Sequence, residues 1–366
     1  MKHTLFAMDK KGQFKEWSIS TEGEEIHVAH GKLGGKQQHK VFIAKPKNVG
    51  RANATTAEQQ AVLEMASRIK KQGDKGYRTT QEDAVTAAAD NRTPMLASDY
   101  TKVGHSIKYP CSVSPKLDGV RCIARVKDGE VTFTSRGGKE YPVSDKLKSE
   151  LLIFSGSTGC TEFDGELYIH GVSLQNIVSA VKKPNDLTPD LSFWIFDVPS
   201  DLIWEEREKV IYNLWEESLV CMETPHICVV GNQRVEREES ARKIMDKMIE
   251  IGFEGLMLRN LTGKYEWNNR SRDLQKWKDF QDVEAKVESF EEDALGEAVY
   301  WLRLQNGKLF KAKPRGHHKE RTVKNADSYL GNWVTVRFQQ YTDGGIPQFP
   351  VIVGFRECDA QGNPLV

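Results

Sequence analysis

Residues 114–121 read Ser-Pro-Lys-Leu-Asp-Gly-Val-Arg, and the fold of the whole chain turns on this stretch. Beyond it Val120, Cys122, Ala124 and Val126 alternate with Arg121, Ile123 and Arg125, close to the two-residue period of a strand. Asp128-Gly129 supplies a turn and Glu130 to Arg136 returns as a second strand, which sets Lys116 at the open end of a β-hairpin. An amine there attacks a phosphorus only when neutral, and free lysine titrates near pH ~10.4. Burial and nearby cations lower that value, so Arg121, further lysines and a metal ion are the candidates to activate Lys116. Gly119 permits a close backbone approach that a side chain would hinder. Taken alone, the pattern also fits an exposed lysine beside an ordinary Asp-Gly turn, since short motifs recur by accident.

Further groups follow at wide spacing: Ser135-Arg136-Gly137-Gly138, then Phe163-Asp164-Gly165-Glu166-Leu167-Tyr168, then the apolar run Leu191 to Val198 containing Phe196-Asp197. Glu254-Gly255-Leu256-Met257-Leu258-Arg259 and Leu274-Gln275-Lys276-Trp277-Lys278 complete the series. Arginine suits phosphate because its guanidinium forks onto two oxygens. Lys276 and Lys278, two apart on a strand, point to one side and can reach one phosphate group. With Lys-x-Asp-Gly-x-Arg at its head, the series resembles the covalent nucleotidyltransferases: ATP-dependent DNA ligases, RNA ligases and mRNA-capping enzymes. The family's order, kept over about 165 residues, favours the DNA ligases.

The resemblance implies a role for each residue. Lys116 becomes the covalent AMP carrier, with ATP as donor. Arg121 and Arg136 bind nucleotide or nick phosphate, and Phe196 stacks on adenine with Phe193 and Ile195 anchoring the opposite face. Glu166 contacts the ribose or, with Glu254, holds Mg²⁺, an ion that takes hard oxygen ligands. Lys276 and Lys278 bind the α-phosphate and neutralise charge in the transition state. The family's final Arg-x-Asp-Lys has only a divergent counterpart in Phe355-Arg356-Glu357-Cys358-Asp359, which leaves Arg356 as the candidate for orienting pyrophosphate.

Composition sets bounds on this reading. The 366 residues suffice for two or three domains, and 39% hydrophobic with 28% charged residues describes a globular chain. No run approaches the ~20 apolar residues of a membrane span, and the opening MKHTLFAMDKKGQFKEW lacks a signal peptide's apolar centre. A cytoplasmic protein of a bacterium or phage-infected cell is expected. Cys111, Cys122, Cys160, Cys221, Cys228 and Cys358 form no Cys-x-x-Cys pair, which argues for free thiols and against a zinc site. Net charge is zero, yet residues 1–80 carry 15 Lys/Arg against 8 acids, and residues 301–340 carry 9 against 2. Two basic ends around a more acidic centre suit a clasp on a phosphate backbone, the bland alternative being solvated surface charge.

Upstream, residues 3–45 show four short strand-like runs broken at Gly12, Gly23 and Gly34-Gly35. A helix capped by Thr55 with Glu58 follows, its stripe Val62, Met65, Ala66 and Ile69, its end Gly73. His30-Gly31-Lys32 in this setting resembles a divergent WGR-type module, a small β-rich DNA-binding fold. Lys32, Lys36, Lys40, Lys45, Lys47 and Arg51 would be its phosphate contacts, and docking on the rest of the chain is the alternative role. Residues 73–93 read as a linker with a short helix. Helices are expected around Leu202–Ser218 and Glu236–Ile251, the second with Ala241, Ile244, Met248 and Ile251 as its apolar stripe. Downstream, five short strands from Val283 to Arg356 fit an OB-fold barrel whose Lys308, Lys311, Lys313, Arg315, Lys319, Arg321 and Lys324 would face duplex DNA. His317-His318 has no acidic partner at metal spacing and reads as a solvated loop.

The expected architecture is α+β: a β-rich module over 1–80, an ATP-grasp-like adenylation domain over 81–281 and an OB-fold domain over 282–366. The expected function is sealing of nicked double-stranded DNA by a monomer through lysyl-AMP. RNA ligation or guanylyl transfer, and a catalytically inactive DNA-binding scaffold, are the competing readings.

Overall fold

The computed structural model describes residues 2–9, 11–90, 92–220, 223–293, 295–318 and 321–356. Strands β1 (Lys2–Met8), β2 (Phe14–Glu22), β3 (Glu25–Lys32) and β4 (Gln37–Ile43) form an antiparallel meander in chain order. Helix α1 (Ala57–Gly73) crosses it, burying Ala61 and Met65 against Trp17, Ile19, Ile26 and Val28. Its capping box uses Thr56 and Gln59, one residue later than expected from Thr55 and Glu58. Thr55 is engaged elsewhere, exchanging backbone hydrogen bonds with Lys47 at 3.0 and 3.3 Å. The core stripe therefore takes Ala61, while Val62 is 52% exposed and Ala66 also faces solvent. The stretch expected as a linker is instead part of this body. Arg78 pairs its backbone with Phe6, and α2 (Gln81–Asp90) lies on β1 with Ala84 and Ala87 buried.

The central domain holds two five-stranded sheets. Its elements in order are β5 (Leu96–Asp99), α3 (Tyr100–Val103), β6 (Cys111–Lys116), β7 (Val120–Lys127), β8 (Glu130–Ser135), α4 (Asp145–Thr158), β9 (Glu162–Tyr168) and α5 (Leu174–Lys182). There follow β10 (Ser192–Asp197), α6 (Trp204–Val220), β11 (Ile227–Val229), β12 (Gln233–Val235), α7 (Glu238–Glu250), β13 (Gly255–Asn260) and β14 (Arg270–Trp277). One sheet runs β11-β10-β9-β7-β8, the other β12-β6-β13-β14-β5. Phe133, Phe154, Phe163 and Phe193 centre the first core, together with apolar residues of α4, α5 and α6. The second core sets Val113, Leu256 and Leu258 against Ala241 and Met245 of α7. Ile251, expected on that stripe, is 54% exposed because the helix stops before it and Gly252 turns away at φ +94°. On β7 the expected alternation fails at its centre: Cys122, Ile123 and Ala124 are all buried, since both faces of that strand are covered.

The carboxy-terminal strands β15 (Gln281–Glu292), β16 (Ala298–Arg303), β17 (Leu309–Pro314), β18 (Trp333–Phe338) and β19 (Val351–Phe355) close a barrel in the order β15-β16-β17-β19-β18. Its positive charge is less free than the sequence implies. Lys311 pairs with Glu291 at 2.8 Å, Lys313 with Glu297 at 2.8 Å and Arg321 with Glu297 at 2.7 Å. Lys319 lies outside the described residues, as do Cys221 and Cys358. His317 and His318 are both exposed, as expected of a solvated loop, and His318 Nδ1 lies 3.0 Å from Glu297.

Candidate active site

Between the two central sheets lies a cavity of about 250 Å³ with Lys116 in its wall. Lys116 ends β6, and Ser114 and Pro115 line the cavity beside it. The second sheet also supplies Leu96 and Ala97 of β5, Met257 and Arg259 of β13, and Lys276 of β14. The first sheet faces them with Arg121 of β7, Glu166 of β9 and Phe196 of β10. Residues distant in sequence thus meet because antiparallel pairing sets Gly255 opposite Lys116 and Arg121 opposite Glu166.

Three glycines let these strands close up. A side chain at Gly119 would lie 2.5 Å from the Leu167 carbonyl oxygen, at Gly165 2.5 Å from the Phe193 ring, and at Gly255 2.3 Å from the Trp277 carbonyl oxygen. Gly255 also sits at φ +154°. The Gly119 amide donates to Glu166 Oε1 at 2.9 Å, tying the lysine hairpin to β9.

Glu254 is the carboxylate nearest the nucleophile. It accepts from both Lys116 and Lys278, and from Gln339 Nε2 at 2.6 Å. Burial lowers the pKa of Lys116, with Arg121 adding to that effect while Glu166 and Asp118 oppose it. Burial and the neighbouring Lys116 charge bring Lys278 down to about 8, and lower Lys276 for the same two reasons. Glu166 is pushed above the usual carboxylate range by burial, against the pull of Lys116. Three amines crowded in one low-dielectric place, each easier to deprotonate than free lysine, form a pocket in which one can be a nucleophile.

Beneath the pocket, charged groups are locked in position. Arg121 forks onto Asp164 at 2.9 and 2.5 Å, Tyr265 donates to the same carboxylate at 2.6 Å, and the guanidinium lies 5.3 Å from the Phe196 ring centroid. Asp197, buried between Arg207 at 2.8 Å and Arg259, is kept below the usual range by the two guanidiniums although burial alone would raise it. The aromatic anchor is therefore flanked by two fixed arginine–carboxylate units.

Residues 94–278 match the ATP-dependent DNA ligase domain, half of the chain and the whole of this site. The chain belongs to the ATP-dependent DNA ligases. It is 27% identical over 351 residues to a DNA ligase of African swine fever virus (isolate Tick/South Africa/Pretoriuskop Pr4/1996), covering 86% of this chain and 79% of the relative. It is 24% identical over 300 residues to the DNA ligase of Enterobacteria phage T4, covering 65% and 61%. Among solved structures, one from a structure–function study of Lig E DNA ligases superposes with a TM-score of 0.59 at 26% identity, covering 72% of this chain and 98% of its own. Another, Pmar-Lig_Pre, gives a TM-score of 0.65 at 18% identity over 76% of this chain and 72% of its own, a likeness of fold.

Of the residues expected in the ligase's site, Lys116, Arg121, Arg136, Glu166, Phe196 and Lys276 line the cavity, while Glu254 and Lys278 reach it through the hydrogen bonds to Lys116 and to each other. Lys276 lies on β14 and Lys278 one residue past its end, and the Lys116 charge lowers the pKa of both, so the two amines gather around the nucleophile. Trp277 between them stacks on Tyr100 at 4.4 Å. Phe193 and Ile195 are fully buried, as anchors of the Phe196 strand should be. Arg356 is the exception: it pairs with Glu284 of the barrel at 2.9 Å and does not line the pocket, and residues 357–359 of its motif lie outside the described residues. Sequence reasoning missed Arg270, which lines the pocket and donates to the Ala97 carbonyl. It also missed Gln339 and Gln340, the latter donating to Asp118 at 3.1 Å. Arg270 opens β14 in an unremarkable polar stretch and the glutamines follow an ordinary strand, so neither carries a local signal.

Proposed function

We propose that this ligase seals nicks in double-stranded DNA in three transfers of one AMP group. The neutral Lys116 amine attacks the α-phosphorus of ATP: a nitrogen–phosphorus bond forms, the bridging bond to the β-phosphate breaks, pyrophosphate carries off the electron pair and the nitrogen gives up a proton. A 5′-phosphate oxygen at the nick then displaces the lysine from that phosphorus, and the departing nitrogen takes a proton back. Finally the 3′-hydroxyl attacks the activated 5′-phosphate, losing its proton and releasing AMP. Phe196 is suited to hold adenine on its face, and Arg121, already fixed by Asp164, to hold charge near the α-phosphate. Lys276 and Lys278 neutralise the equatorial oxygens as negative charge builds. The donor set of Glu166 and Glu254 fits Mg²⁺, which takes one or two protein carboxylates and fills its other positions from phosphate and water; no cluster of three metal-ligating side chains occurs among the described residues. Such an ion supplies charge neutralisation at the phosphates.

The observation that carries the proposal is the half-buried amine of Lys116, lowered in pKa, in a cavity shared with Phe196, Arg121 and Lys276. The amino-terminal sheet and helix support a WGR-like DNA-binding role. We place the protein in the cytoplasm as a monomer serving DNA replication, repair or recombination, and no helix among the described residues is long and apolar enough to cross a membrane. Intact mass after incubation with ATP and Mg²⁺ tests the chemistry: the chain should gain the mass of one AMP, and Lys116→Ala should gain none. The adenylated protein should seal nicked DNA in preference to nicked RNA. A chain that keeps its unmodified mass with every nucleotide and divalent ion offered refutes the proposal.

A further inference from the structure

The six basic residues expected as phosphate contacts of the amino-terminal module do not share one face. The strand registers separate its two ends. Lys15 pairs with Lys32 at one end of the sheet, beside the β3–β4 turn that carries Lys36, whereas Glu22 pairs with Glu25 at the other. Because β4 ends opposite Glu25, the loop holding Lys45, Lys47 and Arg51 starts at that second end. There Glu22, Glu24, Glu25 and Glu58 surround the start of α1. The helix ends at Gly73, whose carbonyl accepts from Arg78, and Arg78 pairs with Phe6, which lies opposite Glu16 beside Lys15, so Lys70, Lys71 and Lys75 come toward the first end. The module is thus electrically polar, cationic at one end and with four carboxylates at the other.

The cationic end abuts the catalytic domain. Gly73, Asp74, Gly76 and Arg78 form one wall of an open cleft of about 580 Å³, Asp83 and Thr86 of α2 contribute to it, and Gly137, Gly138 and Lys139 form the facing wall. That volume would suit a small molecule, but such sites are mainly apolar, and only Ala87 of this lining is an apolar side chain. Exposed lysines and arginines beside glycine backbone suit a phosphodiester chain instead. The lining balances two carboxylates, Asp74 and Asp83, with two cations, Arg78 and Lys139, while the exposed Lys71 and Lys75 are chain neighbours of its Gly73, Asp74 and Gly76. Asp83 is already taken by the Thr80 hydroxyl at 2.7 Å. The facing wall is decisive. The turn of Ser135 to Lys139 joins two cavities, with Arg136 lining the nucleotide pocket and the next three residues lining the cleft. A strand leaving the reactive phosphate past Arg136 meets the cleft next.

We propose that this cleft is a DNA-backbone track, in which Lys71, Lys75, Arg78 and Lys139 hold the phosphates of the duplex flanking the nick and so fix the amino-terminal module on DNA. The proposal rests on the nick-sealing reading. Lys45, Lys47 and Arg51, next to carboxylates at the far end, take no part.

The test is the salt dependence of affinity for nicked duplex DNA, read by fluorescence anisotropy from about 50 to 200 mM salt. Each phosphate neutralised adds ~0.9 to the slope of log affinity against log salt. Replacing Lys71, Lys75 and Lys139 together by alanine should reduce that slope by about 2 to 3 and weaken binding at least tenfold at the low-salt end. A gain of one AMP by mass reports that the variant is folded. The triple variant Lys45→Ala, Lys47→Ala, Arg51→Ala should keep the slope of the unaltered protein. A cleft variant with an unchanged slope, or a far-end variant that loses as much, overturns the track and leaves nick sealing standing. Failure of the unaltered, self-adenylating protein to bind nicked duplex at any salt overturns both.

Discussion

Gly119→Ala isolates the geometry of the site from its charge. The new methyl carbon would lie 2.5 Å from the Leu167 carbonyl oxygen, 2.9 Å from Glu166 Cγ and 3.3 Å from Tyr168 Cβ. Comfortable contact needs roughly 3.5 Å or more, so the lysine hairpin and β9 must part by about 1 Å. The obstructing oxygen belongs to a paired strand, Val120 opposite Leu167, and no rotamer change removes it. Overpacking of this kind costs about 1–3 kcal/mol, and the same movement stretches the 2.9 Å bond from the Gly119 amide to Glu166. Lys116 ends β6 only three residues before Gly119, and a misplacement of about 1 Å at a reacting atom costs about 100-fold in rate. Single-turnover transfer of AMP from labelled ATP to the protein should therefore slow about 100-fold, equivalent to about 2.7 kcal/mol on the barrier. Thermal unfolding should stay cooperative in the same sample, which separates misplacement from unfolding. A self-adenylation rate within threefold of the unaltered protein refutes the argument that close strand approach sets the nucleophile.

Two further outcomes follow from the charges. As pH rises the lowered pKa of Lys116 frees more reactive amine, while Lys278, near 8, loses the positive charge that stabilises the transition state. The self-adenylation rate should climb as Lys116 is deprotonated and then fall as Lys278, near 8, is discharged, and Lys278→Arg should abolish the fall; a wild-type rate still climbing at roughly pH 10 contradicts the assignment. Asp197→Asn strands two buried guanidiniums, Arg207 and Arg259, and should cost about 3–5 kcal/mol in urea unfolding. A loss under about 1 kcal/mol shows that the triad is not held as an ionic unit.

The catalytic core was readable because its chemistry is local. Each strand carries its own signature, Lys116-to-Arg121, Asp164-Gly165-Glu166, Glu254-Gly255, and pairing between strands then assembles them. The barrel was readable for a similar reason, since five alternating runs broken by Gly307 and Gly344-Gly345 leave few other closures. What escaped is set by partners far away in sequence. Ile123 is buried because a second layer covers β7, which no alternation within the strand announces. Thr55 lost the cap to Thr56 because Lys47 had already claimed its backbone. The barrel lysines look available until Glu291, Asp293 and Glu297 are brought beside them. The module cations likewise look like one patch, and only the strand register sends Lys32 and Lys36 to one pole and Lys45, Lys47 and Arg51 to the other.

Glu254 accepts from the nucleophile, from Lys278 and from Gln339 of the barrel, so one side chain answers to three masters. Removing any one of the three redistributes the acceptor among the remaining two. Alanine scanning would therefore score Gln339 as though it took part in bond making, although it touches no reacting atom, and paired substitutions around this carboxylate will not sum. Only a full mutant cycle can apportion what each partner contributes.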